Sequence, residues 1–352
     1  MAHQQTNLHG NRRETEFIRC LKCDLRALGL DLDCLLTASG RVVGESDYVG
    51  RRLRAVDTRS ATSVPRNSDN VPPPHISINS LSIRMHFCES ALDNRMFEEV
   101  RLTQAVPSGR RLGRQLRVLV YDDSQEPPLL VGAIGLASPI YRLSCRDRFL
   151  GWHESGARLF GLRRAMDLAV CVSTSAYADM RMSKLLAILS VSAPIAHRYF
   201  SRYGEPLLAV ITTCASGSHC ACFNRIMLRP GGLFRKVGET SGYTTTPFSN
   251  ATIKAARQLV LGNDNASDVM RRGAAALPVL RTAMRRLSLP EEKLLRMGVR
   301  KGVYVAECFP GALEMLRRER RSAATNYLSV GEAVQFWQSR VASSALPSVR
   351  TI

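Results

Sequence analysis

The chain has 352 residues, in which 49 Lys and Arg residues against 30 Asp and Glu residues give a formal net charge of +19. At roughly 150 residues per domain, this length predicts about two folded units. Apolar residues make up 45% of the chain, enough to bury a core, which excludes a fully disordered protein. The longest apolar runs, residues 129–137 and 185–191, are shorter than the roughly 18–20 residues that span a bilayer, and the N-terminus lacks the apolar core of a signal peptide. We therefore expect no membrane segment and a cytoplasmic location.

The excess of positive charge is almost entirely arginine, with 43 Arg against 6 Lys. The planar guanidinium grips phosphate through two hydrogen bonds, so this excess predicts a polyanionic partner, above all DNA. A GC-rich genome explains the preference for Arg over Lys but not the shortage of acids. A basic surface that only keeps the protein soluble is the alternative.

The first segment, residues 1–75, is predicted to be helical and to end in a linker. Phe17, Leu21 and Leu25 recur at intervals of four residues, which is typical of a helix with one apolar face. Residues 58–75 are rich in Pro, Ser and Asn and are expected to form an exposed connector.

The second segment, residues 76–248, alternates strand and helix patterns. The strings LRVLVY and LLVGAIGLAS, separated by DDSQEPP, predict an antiparallel hairpin. Residues 167–173 predict a third strand, and a helix over residues 182–203 is expected to kink at Pro194 and end at Gly204. The strings LLAVITTC and LFRKVGET predict two more strands. The predicted fold class is therefore α+β, with a mixed, mostly antiparallel sheet, flanking helices, and helical N- and C-terminal segments.

The third segment, residues 249–352, is predicted to be basic and mainly helical. Between Lys254 and Arg350 it carries 17 Lys and Arg residues against 8 acids, about half of the net charge of the chain. Its last predicted helix, GALEMLRRERR, includes Arg317 and Arg318, which are candidate contacts to a nucleic-acid backbone. A solvated helical face without a ligand is the alternative.

The string SPIYRLSCRDRFLGWH places two arginines and an aspartate directly after the predicted hairpin. Arg146 and Arg148 are candidate phosphate ligands, and the indole of Trp152 offers a surface on which a base stacks. Asp147 lies between two positive charges that favour its ionised form, which makes it a poor general acid. The alternative is an internal salt bridge that orders this turn, with Trp152 in the core.

A second candidate anion site lies where a strand leads into the predicted helix of residues 182–203. The N–H groups at a helix start attract anions, and Arg181, Ser183 and Lys184 stand beside them. The alternative is that Asp179 caps the helix and no ligand binds. No Walker motif and no GxGxxG follows any predicted strand, which speaks against a nucleotide-hydrolysing motor and a dinucleotide oxidoreductase.

Cysteines and a histidine suggest a metal site in two places, and neither has the expected spacing. The CxxC of Cys20 and Cys23 lacks a second pair of ligands and is assigned to a buried amphipathic helix. The string ITTCASGSHCACF crowds four potential ligands together, namely Cys214, His219, Cys220 and Cys222. Zinc usually takes its ligands from two separated pairs, so no metal site is predicted.

The most specific strings of the chain are VGAIGLASPIYRLSCRDRFLGW, SKLLAILS, RYGEPLLAVITT and FNRIMLRPGGLFRKVGETSGY, with RDRFLGW and VGETSGY at their centre. Over roughly residues 115–248 they resemble the DruA-like family of the Druantia anti-phage system, and KGVYVAECFPGALEMLRR adds a weaker likeness. This resemblance implies a bacterial phage-defence or mobile-element protein that acts on or near DNA. Other subunits of such a system, a helicase among them, are the protein partners it implies.

The order of strands and helices is also similar to the core of GNAT-type N-acetyltransferases, in which a helix start holds the pyrophosphate of acyl-coenzyme A. The match is architectural, because the glycine-rich pyrophosphate loop is missing from AYADMRMSK. The leading hypothesis is a DNA-binding or DNA-processing protein. The second is an acyltransferase that modifies a nucleobase or another amine, with acyl-coenzyme A as cofactor and Asp147, Tyr203 or His219 as base. The third is a non-catalytic basic subunit that contacts an acidic protein.

Overall fold

The computed structural model describes residues 2–27, 32, 78–102, 113–214, 222–246, 248–261, 276–318 and 325–344. The chain forms two compact units, each built from two separate stretches of sequence. The smaller unit combines residues 1–58 with 243–299, and the larger unit combines residues 59–242 with 300–352. Composition predicts a division into three consecutive segments at residues 75 and 248. That division stays a prediction.

A seven-stranded sheet lies mainly in the larger unit. Its strands are β1 (Ile83–Phe87), β2 (Gln115–Asp122), β3 (Leu129–Ala137), β4 (Ala165–Ser173), β5 (Ala209–Cys214), β6 (Phe234–Thr245) and β7 (Arg296–Glu307). They lie in the order β1-β2-β3-β4-β5-β7-β6. The pairs β1–β2, β2–β3, β3–β4 and β5–β7 are antiparallel, whereas β4 and β5 are parallel. The expected α+β class with a mixed sheet is thus confirmed, while the GNAT-like label stays a prediction.

The hairpin expected from two apolar strings is formed by β2 and β3, with Leu119 opposite Ala133. Residues 131–137 of β3 are all buried, as expected for a central strand that is covered on both faces. β4 approaches β3 so closely that a Cβ on Gly132 would lie 2.3 Å from the carbonyl oxygen of Val172. Only glycine fits at that position without a shift of the backbone.

The helices divide between the two units. In chain order they are α1 (Ala2–Ala27), α2 (Ala91–Leu102), α3 (Ser144–Phe149), α4 (Ser155–Arg163), α5 (Met182–Leu189), α6 (Ala193–Tyr203), α7 (Asn250–Leu261), α8 (Ala276–Arg286), α9 (Glu291–Leu295), α10 (Ala312–Arg317) and α11 (Val330–Ser344). Helices α1, α7, α8 and α9 belong to the smaller unit. Within the described ranges, none of the helices combines the length and apolarity needed to cross a bilayer.

The single helix expected over residues 182–203 is two helices, α5 and α6. Pro194 lies in the first turn of α6, where its missing N–H is not needed and its fixed φ suits the start of a helix. The expectation of a kink at Pro194 is therefore wrong, because this proline begins a helix instead of bending one. Gly204 ends α6 in the left-handed conformation, with φ of 68°, as expected.

The smaller unit is helical and has its own apolar core. Phe17, Leu21 and Leu25 of α1 are buried together with side chains of α7, α8 and α9, which confirms the apolar face expected for α1. The linker expected over residues 58–75 lies outside the described residues. Asp24 on α1 is buried. Its carboxylate accepts hydrogen bonds from two groups at the start of α7, the Ser249 N–H and the Thr252 hydroxyl, both at 2.7 Å.

Replacing Asp24 with alanine is expected to destabilise the smaller unit by about 1–3 kcal/mol, because the buried Thr252 hydroxyl and the partly buried Ser249 N–H lose their charged acceptor. Urea unfolding followed by circular dichroism measures the effect. The control is Glu16→Ala on the same helix, which removes a partly exposed carboxylate that pairs with Arg19 and accepts from the Cys20 thiol at 3.5 Å, and which should shift the unfolding midpoint much less. Equal shifts in the two variants would contradict the role assigned to Asp24.

Candidate nucleic-acid interface

The RDR triplet lies on the short helix α3, and its side chains do not share one environment. Arg146 and Asp147 are buried, whereas Arg148 is exposed. Consecutive residues of a helix are rotated by about 100°, so three in a row cannot all face the same side. Of the two arginines expected to meet phosphate, only Arg148 faces solvent.

The guanidinium of Arg146 donates its hydrogen bonds to groups of the protein itself. Its Nε donates to Asp147 Oδ1 at 2.8 Å, Nη1 donates to the carbonyl of Ile140 at 2.7 Å, and Nη2 donates to the carbonyl of Tyr141 at 3.1 Å. The guanidinium carbon lies 5.1 Å from the centroid of the Trp152 ring, a cation–π contact. Burial lowers the pKa of Arg146, and the hydrogen bond and charge of Asp147 oppose that shift. Arg146 therefore fixes the chain from Ile140 to Asp147.

Asp147 is shared between two arginines. Besides Arg146, its carboxylate accepts from Arg158 Nε at 3.3 Å and from the backbone N–H of Leu143 at 3.2 Å. Arg158 also donates to the carbonyl of Trp152 at 2.9 Å. We call Arg146, Asp147, Arg158 and Trp152 the buried cluster. It is the internal salt bridge that stood as the alternative to phosphate binding at this string.

Two of the expected nucleic-acid contacts, Arg146 and Trp152, are buried, and their role in binding stays a prediction. Arg146 and Trp152 are both 0% exposed, so in this structure neither presents free surface to a phosphate or a base. The Trp152 ring packs in the core, and its Nε1 donates to the carbonyl of Leu316 at 3.4 Å. Trp152 thus brings α10, which lies more than 160 residues later in the sequence, to the RDR helix.

Arg317 at the end of α10 and its C-cap Arg318 lie beside the helices of the buried cluster. Arg317 is half-buried, donates from Nε to the carbonyl of Phe149 at 3.2 Å, and stacks over the Phe149 ring at 4.7 Å. Arg318 is exposed, and its guanidinium lies 5.0 Å from the centroid of the Phe160 ring on α4. Two basic stretches that are distant in sequence therefore meet on one side of the larger unit.

An open cleft of about 490 Å³ lies against the buried cluster. The residues that line it are Arg142, Ser144, Asp147, Arg148, Trp152, His153, Ser155 and Arg158. Arg142 and Arg148 are exposed, and within the part of the chain that the structure describes neither has an acidic partner. The carboxylate of Asp147 is already paired with two arginines. The cleft is therefore positively charged and has unused guanidinium donors, which suits an anion.

The second expected anion site is built differently from its prediction. A 3-10 helix, Ser175–Met180, separates β4 from α5. The N-cap position, expected for Asp179, is held by Arg181 in the left-handed conformation, with φ of 53°, and its side chain makes no capping hydrogen bond. Arg181 is exposed, and Lys184 is half-buried. Burial, and after it the charge of Arg181, lowers the pKa of Lys184.

Backbone atoms of this junction are held by neighbouring elements. The carbonyl of Ser183 accepts hydrogen bonds from the thiols of Cys171 and Cys222, at 3.4 and 3.3 Å. The carbonyl of Arg181 accepts from Trp337 Nε1 on α11 at 3.4 Å. The roles of Arg181, Ser183 and Lys184 in binding phosphate stay predictions.

The three candidate bases are not assembled into a catalytic group by the described contacts. Asp147 is held by two arginines, as described above. The Tyr203 hydroxyl is hydrogen-bonded to the backbone N–H and carbonyl of Gln115, both at 3.0 Å. His219 lies outside the described residues, as does Cys220, while Cys214 is disulfide-bonded. Among the residues that the structure describes, no group of three or more His, Cys, Asp or Glu side chains is placed to hold a metal ion.

Residues 57–318, which include the cleft and α10, match the family model of Druantia protein DruA. The chain belongs to the DruA family. A curated DruA protein, Druantia protein DruA of Escherichia coli strain UMEA 4076-1, is 26% identical over 238 residues, or 63% of this chain. The match covers 58% of that DruA protein, so the chain spans less than two thirds of its length. No solved structure matches the chain.

Sequence reasoning missed part of the cleft that the DruA-family chain forms. Arg142 and Arg158 flank the RDR string and were not predicted as site residues. Arg142 supplies an exposed guanidinium to the cleft, and Arg158 supplies a buried one. In RLSCRDRF, residues 142–149, the arginines stand at positions 142, 146 and 148, and no periodicity of this short string separates the buried guanidinium from the exposed ones. No local signal marks the contact between Trp152 and α10.

Proposed function

We propose that this chain is a DNA-binding component of a Druantia-type anti-phage system. Membership of the DruA family supports the defence role, and the charged cleft supports the DNA partner. The single observation that carries the proposal is the pair of exposed arginines, Arg142 and Arg148, at a cleft whose lining carboxylate, Asp147, is neutralised by buried arginines.

The two guanidinium groups of the cleft differ from surface arginines that already pair with acids. On β1, Arg84 pairs with Asp123 at 2.7 Å, and on α2, Arg95 pairs with Glu99 at 3.3 Å. Such pairs attract a phosphate weakly, because a neighbouring carboxylate repels it. At Arg142 and Arg148 a phosphate replaces water and bound counterions, and the release of those counterions drives binding.

We expect the basic helices of the smaller unit to contribute less to DNA binding than their composition indicated. On α8, Arg281 and Arg285 both lie near Glu291, at 3.8 and 2.7 Å. Arg286 donates to the carbonyl of Leu259 at 2.8 Å. We assign the main contacts to the cleft and propose Arg317 and Arg318 as additional phosphate contacts beside it. Cooperation with other subunits of the system, such as a helicase, belongs to the proposal as well.

Removing the two exposed guanidinium groups is expected to weaken DNA binding and reduce its dependence on salt. Fluorescence anisotropy with labelled 20-mer DNA at roughly 50–200 mM NaCl compares the wild type with the double variant Arg142→Gln/Arg148→Gln. The slope of log affinity against log salt should become shallower by about 1 for each lost phosphate contact, whatever the DNA sequence.

A control double variant, Arg84→Gln/Arg95→Gln, makes the same change in net charge at arginines that already have acidic partners. It should retain the slope of the wild type. The proposal is overturned if the wild type does not bind DNA at 50 mM salt, or if the two double variants lose affinity equally. The second result would mean that the charge acts as a general surface property.

A further inference from the structure

Two large apolar side chains are exposed at the edge of the cleft. Ile140 and Tyr141 are 49% and 47% exposed, and they directly precede Arg142, which lines the cleft. An exposed aromatic residue next to unpaired arginines is the combination that proteins use to bind single-stranded nucleic acids, in which bases stack on rings and arginines follow the backbone.

Tyr141 is held in place by the buried cluster. Arg146 donates to the carbonyls of Ile140 and Tyr141, at 2.7 and 3.1 Å, so the backbone that carries the ring is fixed from inside the protein. The guanidinium of Arg158 lies 5.6 Å from the centroid of the Tyr141 ring. Arg158 is itself fixed by Asp147 and by the carbonyl of Trp152. The ring therefore has a cation against one side and remains about half exposed, and a partner gains a stacking surface that is already ordered.

We propose that Tyr141 stacks on an unpaired base, and that the ligand of the cleft is single-stranded DNA. This inference rests on the proposed function and narrows its substrate class. Bases inside a duplex stack on each other and offer only their edges in the grooves, so a ring that offers its face requires an unpaired base. The cleft volume of about 490 Å³ lies in the range of small-ligand sites, roughly 300–1,000 Å³, which suits one nucleotide.

The test compares a 20-nucleotide single strand with the matched 20-base-pair duplex at constant salt. We expect Tyr141→Ala to weaken single-strand binding by about 5- to 150-fold, the effect of losing one stacked base, and to leave duplex binding within about twofold. Tyr141→Phe keeps the ring and should bind the single strand as the wild type does. The control is Phe200→Ala, which removes an aromatic side chain that is 59% exposed on α6 and should change neither affinity.

Three further readouts separate stacking from charge and from misfolding. Tyr141→Ala should keep the salt dependence of the wild type, because it removes no phosphate contact, whereas Arg148→Gln should reduce it. Thermal unfolding of Tyr141→Ala should match the wild type, which excludes misfolding as the cause of lost affinity. Abasic sites in the single strand should weaken binding of the wild type and not of Tyr141→Ala.

The outcomes distinguish this inference from the proposed function. If the wild type binds neither DNA, the proposed function fails. If it binds both and Tyr141→Ala binds both as tightly as the wild type, DNA binding stands and the stacking role of Tyr141 is overturned. That second result is expected if Ile140 and Tyr141 contact another protein instead.

Discussion

Replacing Asp147 with alanine is expected to lower the free energy of unfolding by about 3–5 kcal/mol, because the fully buried Arg146 then loses its compensating charge. Arg158 loses a partner in the same variant. Chemical denaturation followed by tryptophan fluorescence measures the change, since Trp152 lies against Arg146.

The neighbouring residue offers a matched control for Asp147→Ala. Arg148→Ala, on the same helix, alters an exposed side chain and should change stability by less than about 0.5 kcal/mol. A double variant, Asp147→Ala/Arg146→Met, removes both charges and should recover part of the loss. If Asp147→Ala and Arg148→Ala are equally stable, the buried cluster does not hold this part of the fold together.

A methyl group at Gly161 is expected to destabilise the larger unit by about 1–3 kcal/mol or more, because it overpacks the core. A Cβ there would lie 2.1 Å from Cζ2 of Trp152, and that indole is fully buried and cannot move aside. The measurement is the unfolding midpoint of Gly161→Ala.

Gly156→Ala, on the same helix, is the control for Gly161→Ala. A Cβ at Gly156 meets nothing within 4 Å, so alanine should be neutral there or stabilise the helix by up to about 1 kcal/mol. In a Trp152→Leu background, Gly161→Ala should cost less than in the wild type, because the smaller side chain leaves room for the methyl group. Equal costs in both backgrounds would show that the contact with Trp152 is not the cause.

Strands β2 to β6 were accessible to prediction because their signals are local, whereas β1 was not predicted. The apolar strings of β2, β3 and β5 are continuous or alternate within each strand, and short turns join the hairpin. The same reasoning failed at Pro194, because an apolar stripe continues through the break between α5 and α6. Periodicity records which face is apolar, and it does not record where one helix stops and the next begins.

The sequence singled out the string beside which the charged cleft lies, but not the environment of each of its side chains. The RDR string does lie at a charged cleft, but Arg146 and Arg148 are equivalent in sequence and opposite in environment. Their difference depends on the rotation of α3 against the core, which is decided by tertiary contacts. Trp152 was expected to be available to a base; its position in the core follows from α4 and α10, whose approach has no local signature.

The contact between Trp152 and α10 also determines how early this side of the cleft can form while the chain is being synthesised. Leu316, whose carbonyl receives the indole hydrogen bond, is 164 residues later in the chain. At a synthesis rate of about 5–20 residues per second, the ribosome needs roughly 10–30 s to make the intervening chain. During that interval the nascent chain has no α10 to offer the indole, so this side of the cleft is completed late in translation.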